Sequence, residues 1–101
     1  MITTLILAAG EASRMGQPKQ LMQLKGKSLV QRAVQTAQSV SDEIIVVTGA
    51  YANQIQEHLS SEEVHFAHNP NWQTGMGSSI RTGIQQIMSF TPLPDATIVI
   101  L

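Results

Sequence analysis

The sequence predicts an α/β fold: a Rossmann-like parallel sheet with helices on both faces. Three observations predict it. Short apolar runs alternate with stretches of helical periodicity along the whole chain. The runs are β-branched and almost continuously apolar, as strands buried on both faces are. No repeat, low-complexity tract or linker interrupts them, so residues 1–101 read as one domain. Right-handed crossovers between parallel strands then narrow the topology to a doubly wound sheet.

The elements follow in order. "TTLILAA" (Thr3–Ala9) is a buried strand, and "KSLVQRAVQTAQSV" places Leu29, Val30, Ala33, Val34, Ala37 and Val40 on one helical stripe. "EIIVVTG" (Glu43–Gly49) is a second buried strand closed by glycine, and "YANQIQEHLS" a short helix with Ile55 and Leu59 inward. "EVHFAHN" (Glu63–Asn69) alternates as a third strand. "GSSIRTGIQQIMSF" is a third helix, apolar at Ile80, Ile84, Ile87 and Met88, and "PDATIVIL" opens a fourth strand. That last strand is as apolar as a central one. If it lies at a sheet edge it is a template for pairing, so self-association through it is expected.

Composition removes several classes. A net charge of −1 gives no general pull toward nucleic acid or an anionic membrane. The absence of cysteine excludes disulfides, thiolate metal sites and a cysteine nucleophile. The first residues lack a basic leader, and their apolar run ends after about eight residues, too short for a signal peptide or a membrane span. A cytoplasmic, soluble protein is the expectation.

Charge distribution says more than the total. Between Ala12 and Ser41 stand Arg14, Lys19, Lys25, Lys27 and Arg32, with no acid among them. Lys25, Lys27 and Arg32 read as a solvated surface. Arg14 and Lys19 lie in "LAAGEASRMGQPKQL", directly after the first strand. There the small residues Ala8, Ala9 and Gly10 let a ligand approach the backbone, whose N–H groups line an anion well. Arg14 offers a planar fork for phosphate oxygens, Pro18 stiffens the exit and Lys19 adds a second cation. The loop has no G-K-[ST] and no G-x-G-x-x-G, which excludes a Walker A loop and argues against a dinucleotide cofactor.

This loop resembles the signature L-A-A-G-x-S-x-R-M-G-x-x-K of the nucleotidyltransferases with a MobA-like fold, through Leu7, Ala8, Ala9, Gly10, Arg14, Met15, Gly16 and Lys19. One departure shows, Ala12 standing where the family has serine and Ser13 following it. A second block, "NPNWQTGMGSSIRTGI" (Asn69–Ile84), is similar to the N-P-x-W-x-x-G-M-x-x-S-[IL]-x-x-G stretch of the molybdenum cofactor cytidylyltransferase branch.

The resemblance implies the N-terminal half of a nucleotidyltransferase fold of the GT-A-like kind. It implies CTP as donor, the molybdopterin form of the molybdenum cofactor as acceptor, and pyrophosphate as leaving product. Leu7, Ala8, Ala9 and Gly10 would lie against the nucleotide, with Arg14 and Lys19 on its phosphates as the catalytic pair. Gly75 and Ser79 would complete the nucleotide site, Ser79 at the base. Ala9 replaces the glycine of guanylyltransferase relatives and would favour a pyrimidine. The family also uses Mg²⁺, held by an aspartate after the fourth strand; by resemblance that position falls beyond Leu101, and no metal ligand is assigned within 1–101. Asp95, Asp42 and Glu43 precede their strands, at the wrong end for this metal, and His65 and His68 fall on opposite faces of a strand.

Around this reading the remaining residues have plainer roles. Ser78 reads as a helix N-cap, Trp72 as a packed anchor and Arg81 as exposed. Two other functions stay open on the sequence: a nucleotide-binding module without transfer activity, and a nucleotidyltransferase for another phosphorylated acceptor.

Overall fold

The computed structural model describes the chain except Glu11, Ala12, Met15, Gly16, Lys25, Thr91 and Leu101; for Ser13, Arg14, Gln17, Pro18, Lys19 and Leu24 it describes the backbone alone. Four parallel strands form the sheet: β1 (Ile2–Ala8), β2 (Glu43–Thr48), β3 (His65–His68) and β4 (Ala96–Ile100). Their order is β3-β2-β1-β4. Helix α1 (Leu29–Gln38) joins β1 to β2, α2 (Ala52–His58) joins β2 to β3, and α3 (Met76–Ile87) joins β3 to β4. The expected α/β architecture is what the chain forms.

Alternation along the central strands builds two cores. Ile6, Ala8, Ile44 and Val46 point toward α1 and α2, meeting Val30, Val34, Ala37, Ile55 and Leu59. Leu5, Ile45 and Val47 point the other way, with Ala9, Ala67 and Ile87 on the α3 side. Burial on both faces is why these strands carry continuous apolar runs instead of a polar alternation. β4 differs. It sits at the sheet edge beyond β1, and Ile98 and Val99 remain 40% and 41% exposed.

Helix α1 starts where its capping chemistry dictates. Ser28 Oγ accepts the Gln31 N–H at 3.1 Å while Gln31 Oε1 accepts the Ser28 N–H at 2.9 Å, a reciprocal capping box. Val40 falls beyond the helix and is exposed, unlike the stripe expected of it. Helix α3 departs further from its apolar pattern. It buries Ser79, Gly83 and Ile87, and leaves Ile84 47% and Met88 65% exposed. Small residues on the sheet side let the helix axis come close, and that proximity sets which face turns inward.

Between β1 and α1 the chain forms two antiparallel pairs of two-residue strands, Ser13–Arg14 with Gln17–Pro18 and Gln23–Leu24 with Lys27–Ser28. A single 3-10 turn, Lys19–Leu21, lies between them. At the opposite end of the sheet, two acids hold the start of β1. Asp42 accepts the Ile2 N–H at 2.8 Å, and Asp95 accepts from the Met1 ammonium at 2.6 Å. That hydrogen bond raises the Met1 ammonium above its usual pKa and holds the Asp95 carboxyl below the usual carboxylate range.

One buried group in β1 is unsatisfied. Thr3 is fully buried, and its Oγ1 finds no partner among the described residues. Thr3→Val keeps the shape and removes the orphan hydroxyl, so we expect a gain of about 1 kcal/mol, or about 4 °C in Tm. Thermal unfolding checks it; a lowered Tm would mean that the hydroxyl has a partner in solution.

Candidate nucleotide site at the carboxyl end of β1

In an open parallel sheet, helices on opposite faces diverge where the strand order reverses, leaving a crevice at the carboxyl ends of the strands. Here that point lies between β1 and β4: α1 leaves β1 on one face, and α3 reaches β4 along the other. A cavity of about 300 Å³ opens over the end of β1. Leu7, Ala9 and Gly10 form its floor, and Trp72, Gly75, Met76 and Ser79 its wall, with Gln20 closing it from the 3-10 turn. Residues that are more than sixty positions apart in sequence thus share one cavity.

Close backbone approach makes this possible. Gly49, just after β2, sits against the Ala9 carbonyl and the root of the Trp72 side chain; a Cβ at Gly49 would overlap the carbonyl and lie 2.6 Å from Trp72 Cβ. Ala50 N–H donates to the same Ala9 oxygen at 3.2 Å, pinning the β1 exit. Gly75 has φ 107°, a conformation that residues with a Cβ rarely adopt, and it turns the chain into α3.

Asn69 organises the turn between β3 and α3. It is 1% exposed, its N–H donates to Thr48 O at 2.7 Å, and its Oδ1 accepts the Asn71 N–H at 2.9 Å. Its Nδ2 donates to Ser78 Oγ at 2.8 Å and to Ser79 Oγ at 3.0 Å. Ser78 is therefore not the N-cap expected of it. Helix α3 begins earlier, at Met76 after Gly75, and Ser78 Oγ donates to Gly75 O at 2.8 Å or Asn71 O at 3.0 Å.

Of the residues expected at a nucleotide, Leu7, Ala9, Gly10, Gly75 and Ser79 all line the cavity. Ala8 turns its methyl into the α1–α2 core, so it can offer the site only backbone. The side chains of Arg14 and Lys19 lie outside the described residues; their backbone belongs to the hairpin and 3-10 turn that follow Gly10. Trp72 packs on the α3-side core as expected, and it also walls the cavity. Gln20 has no residue type or spacing that marks a site, and Met76 matches the second block without a role assigned to it there.

The lining is uncharged among the described residues, and α3 brings the electropositive end of a twelve-residue helix to its wall. This arrangement suits an anion-bearing ligand whose planar part rests in the cavity. Among the described residues no carboxylate lines it, and no cluster of three His, Asp or Glu could hold a metal. The described residues thus do not fit the Mg²⁺ that the resemblance implies. A larger hollow, about 520 Å³, lies over the ends of β2 and β3 beside α2, lined by Thr48, Asn53, Gln54, Phe66 and His68 among others. It holds none of the residues expected at a nucleotide, so the smaller cavity is the better candidate despite its size.

Fold and cavity together define a Rossmann-like α/β protein with a cleft at the carboxyl end of its first strand. The chain belongs to the MobA-like NTP transferase domain family, whose profile matches residues 4–100. It is 34% identical to a bifunctional protein GlmU from Cellvibrio japonicus, over all of this chain and 22% of that protein. It is 34% identical to nicotine blue oxidoreductase from Paenarthrobacter nicotinovorans over 81% of this chain and 41% of that one. It is 27% identical to the molybdenum cofactor cytidylyltransferase of Escherichia coli over 87% of this chain and 46% of that one. Among solved structures, a nucleotidyl transferase from Methanothermobacter thermautotroptrophicus superposes with a TM-score of 0.78 at 28% identity, over 98% of this chain and 50% of that one. The chain thus spans half or less of the length of these relatives. No described helix is long and apolar enough to cross a membrane.

Proposed function

We propose that this chain supplies the nucleotide-binding half of a cytidylyltransferase, which moves CMP from CTP to the molybdopterin form of the molybdenum cofactor and releases pyrophosphate. The observation that carries the proposal is the convergence of both sequence blocks on one cavity at the carboxyl end of β1. The second block and the similarity to the Escherichia coli cytidylyltransferase support this acceptor. The GlmU relatives are at least as similar, so a different phosphorylated acceptor is the competing reading.

In the proposed reaction an acceptor phosphate oxygen bonds to the α-phosphorus as the bond to the β-phosphate breaks, and pyrophosphate leaves with the electron pair. The work left to this half is electrostatic. Arg14 and Lys19 would neutralise charge on the triphosphate, and the α3 N-terminus would add to their field. The methyl of Ala9, 4% exposed in the cavity floor, would narrow the base pocket toward a pyrimidine.

Calorimetric titration of CTP and GTP tests these roles. Arg14→Ala with Lys19→Ala is expected to weaken CTP at least about ten-fold, equivalent to about 1.4 kcal/mol. Ala9→Gly is expected to move the CTP/GTP preference toward GTP. Unchanged CTP affinity in the first variant would remove Arg14 and Lys19 from the site, and unchanged preference in the second would remove Ala9 from base selection.

A further inference from the structure

The hydrogen bonds around Asn69 have a direction, and that direction reaches the cavity. Asn69 Oδ1 faces the Asn71 N–H at 2.9 Å, which fixes the orientation of the amide: the reverse orientation would set two donors against each other. Both amide hydrogens then go to Ser78 Oγ and Ser79 Oγ. Each hydroxyl accepts one hydrogen bond and must send its own proton elsewhere. Ser78 has the Gly75 and Asn71 carbonyls for this purpose. Ser79 has no acceptor among the described residues, is 4% exposed, and lines the cavity.

We propose that Asn69 sets the hydrogen-bond polarity of the nucleotide site by holding Ser79 as a donor, so that the bound base must present an acceptor there, a carbonyl oxygen or an unprotonated ring nitrogen. The inference rests on the nucleotide reading of the cavity. It makes Asn69 a positioning residue that acts through Ser79 without touching the ligand. A hydroxyl whose proton already had an acceptor could meet either a donor or an acceptor on the base; here an N–H on the base would leave the Ser79 proton unpaired. Such a site disfavours a base edge that offers only an N–H at that place, because the buried Ser79 proton would then have no acceptor.

A double-mutant cycle separates this role from simple closure of the turn. The probe is whichever of CTP, UTP, GTP and ATP binds the wild-type protein most tightly, titrated calorimetrically at neutral pH. Ser79→Ala removes the donor and is expected to weaken binding at least about ten-fold. Asn69→Asp keeps the shape but turns the side chain into an acceptor of both serine protons, which reverses Ser79 and is expected to weaken binding by at least as much. In the Ser79→Ala background, adding Asn69→Asp is expected to cause no further loss. An equal loss in both backgrounds would overturn the proposal and leave Asn69 a purely structural clamp.

If Asn69→Asp does not fold, Asn69→Ala enters the same cycle, and Ser79→Ala alone remains decisive. Unchanged affinity in Ser79→Ala overturns the inference while leaving the nucleotide reading intact. Failure of the wild-type protein to bind any of the four nucleotides overturns that reading, and this inference with it.

Discussion

Gly49→Ala is expected to lower stability by about 3 kcal/mol and to damage the site in the same stroke. The added methyl would overlap the Ala9 carbonyl oxygen and lie 2.6 Å from Trp72 Cβ and 2.9 Å from Trp72 Cγ. One obstacle is backbone and the other is the rigid root of a large side chain, so neither can swing aside. Overpacking typically costs about 1–3 kcal/mol, and the upper end applies where backbone must move. For a domain of this size that is more than about 10 °C in Tm. Because Ala9 and Trp72 both wall the cavity, nucleotide affinity should fall as well. Urea unfolding, with a lower midpoint at an unchanged slope, is the check. A variant that unfolds within about 2 °C of wild type, a change of under about 0.5 kcal/mol, would show that the Gly49–Trp72 approach is looser in solution.

Gly83→Leu is expected to be nearly as damaging, by a different route. Gly83 lies in the middle of α3, where a Cβ would meet both Leu5 methyls at 2.9 Å and Val47 Cγ2 at 3.2 Å. Leu5 and Val47 are fully buried in the sheet. Two effects oppose each other when glycine gains a side chain here. Helix propensity favours the substitution by about 1 kcal/mol, while forcing α3 off the sheet costs about 1–3 kcal/mol. Gly83→Ala should therefore lose about 1 kcal/mol net, and Gly83→Leu, with three more carbons and no space for them, about 3 kcal/mol. The order is the diagnostic: wild type, then alanine, then leucine, in falling Tm. If Gly83→Ala proved more stable than wild type, propensity would outweigh packing, and α3 would have room to lift.

The same glycine explains where the sequence misleads. Apolar periodicity alone places Ile84 and Met88 inward, because they share a stripe with Ile80. The observed inward face is Ser79, Gly83 and Ile87, selected by how closely the backbone can approach the sheet. Periodicity measures apolar character and carries no information about approach distance. The strands were more legible, since burial on both faces leaves a continuous apolar run such as that in β1 and β2. The two-residue ladders after Gly10 were not, because two residues are too few for any pattern to register.

At the site, Leu7, Ala9, Gly10, Gly75 and Ser79 were legible because two motifs carry them, and the structure brings them together. Gln20 was not, being an ordinary residue that reaches the cavity only through the path of the chain, and Met76 matched the second motif with no role assigned to it. Asn69 stood in the second block without a role of its own. Its importance comes from saturation: every hydrogen-bonding atom of its amide is used inside the turn, which no residue type can announce. Ser78 illustrates the converse. Serine near a helix start suggests a cap, yet the positive φ of Gly75 moved the start upstream and left Ser78 inside the first turn.

The most direct measurement is thermal unfolding of this chain with CTP and with GTP, over the same series of rising concentrations. A ligand at a hundred times its dissociation constant stabilises the native state by about 2.7 kcal/mol, which for a domain of this size is more than about 10 °C. The expected result is a rise in Tm with CTP that exceeds the rise with GTP and is reduced in Ser79→Ala. No shift with either nucleotide, or a GTP shift that equals or exceeds the CTP shift, would contradict a cytidine-nucleotide site in the cavity over β1.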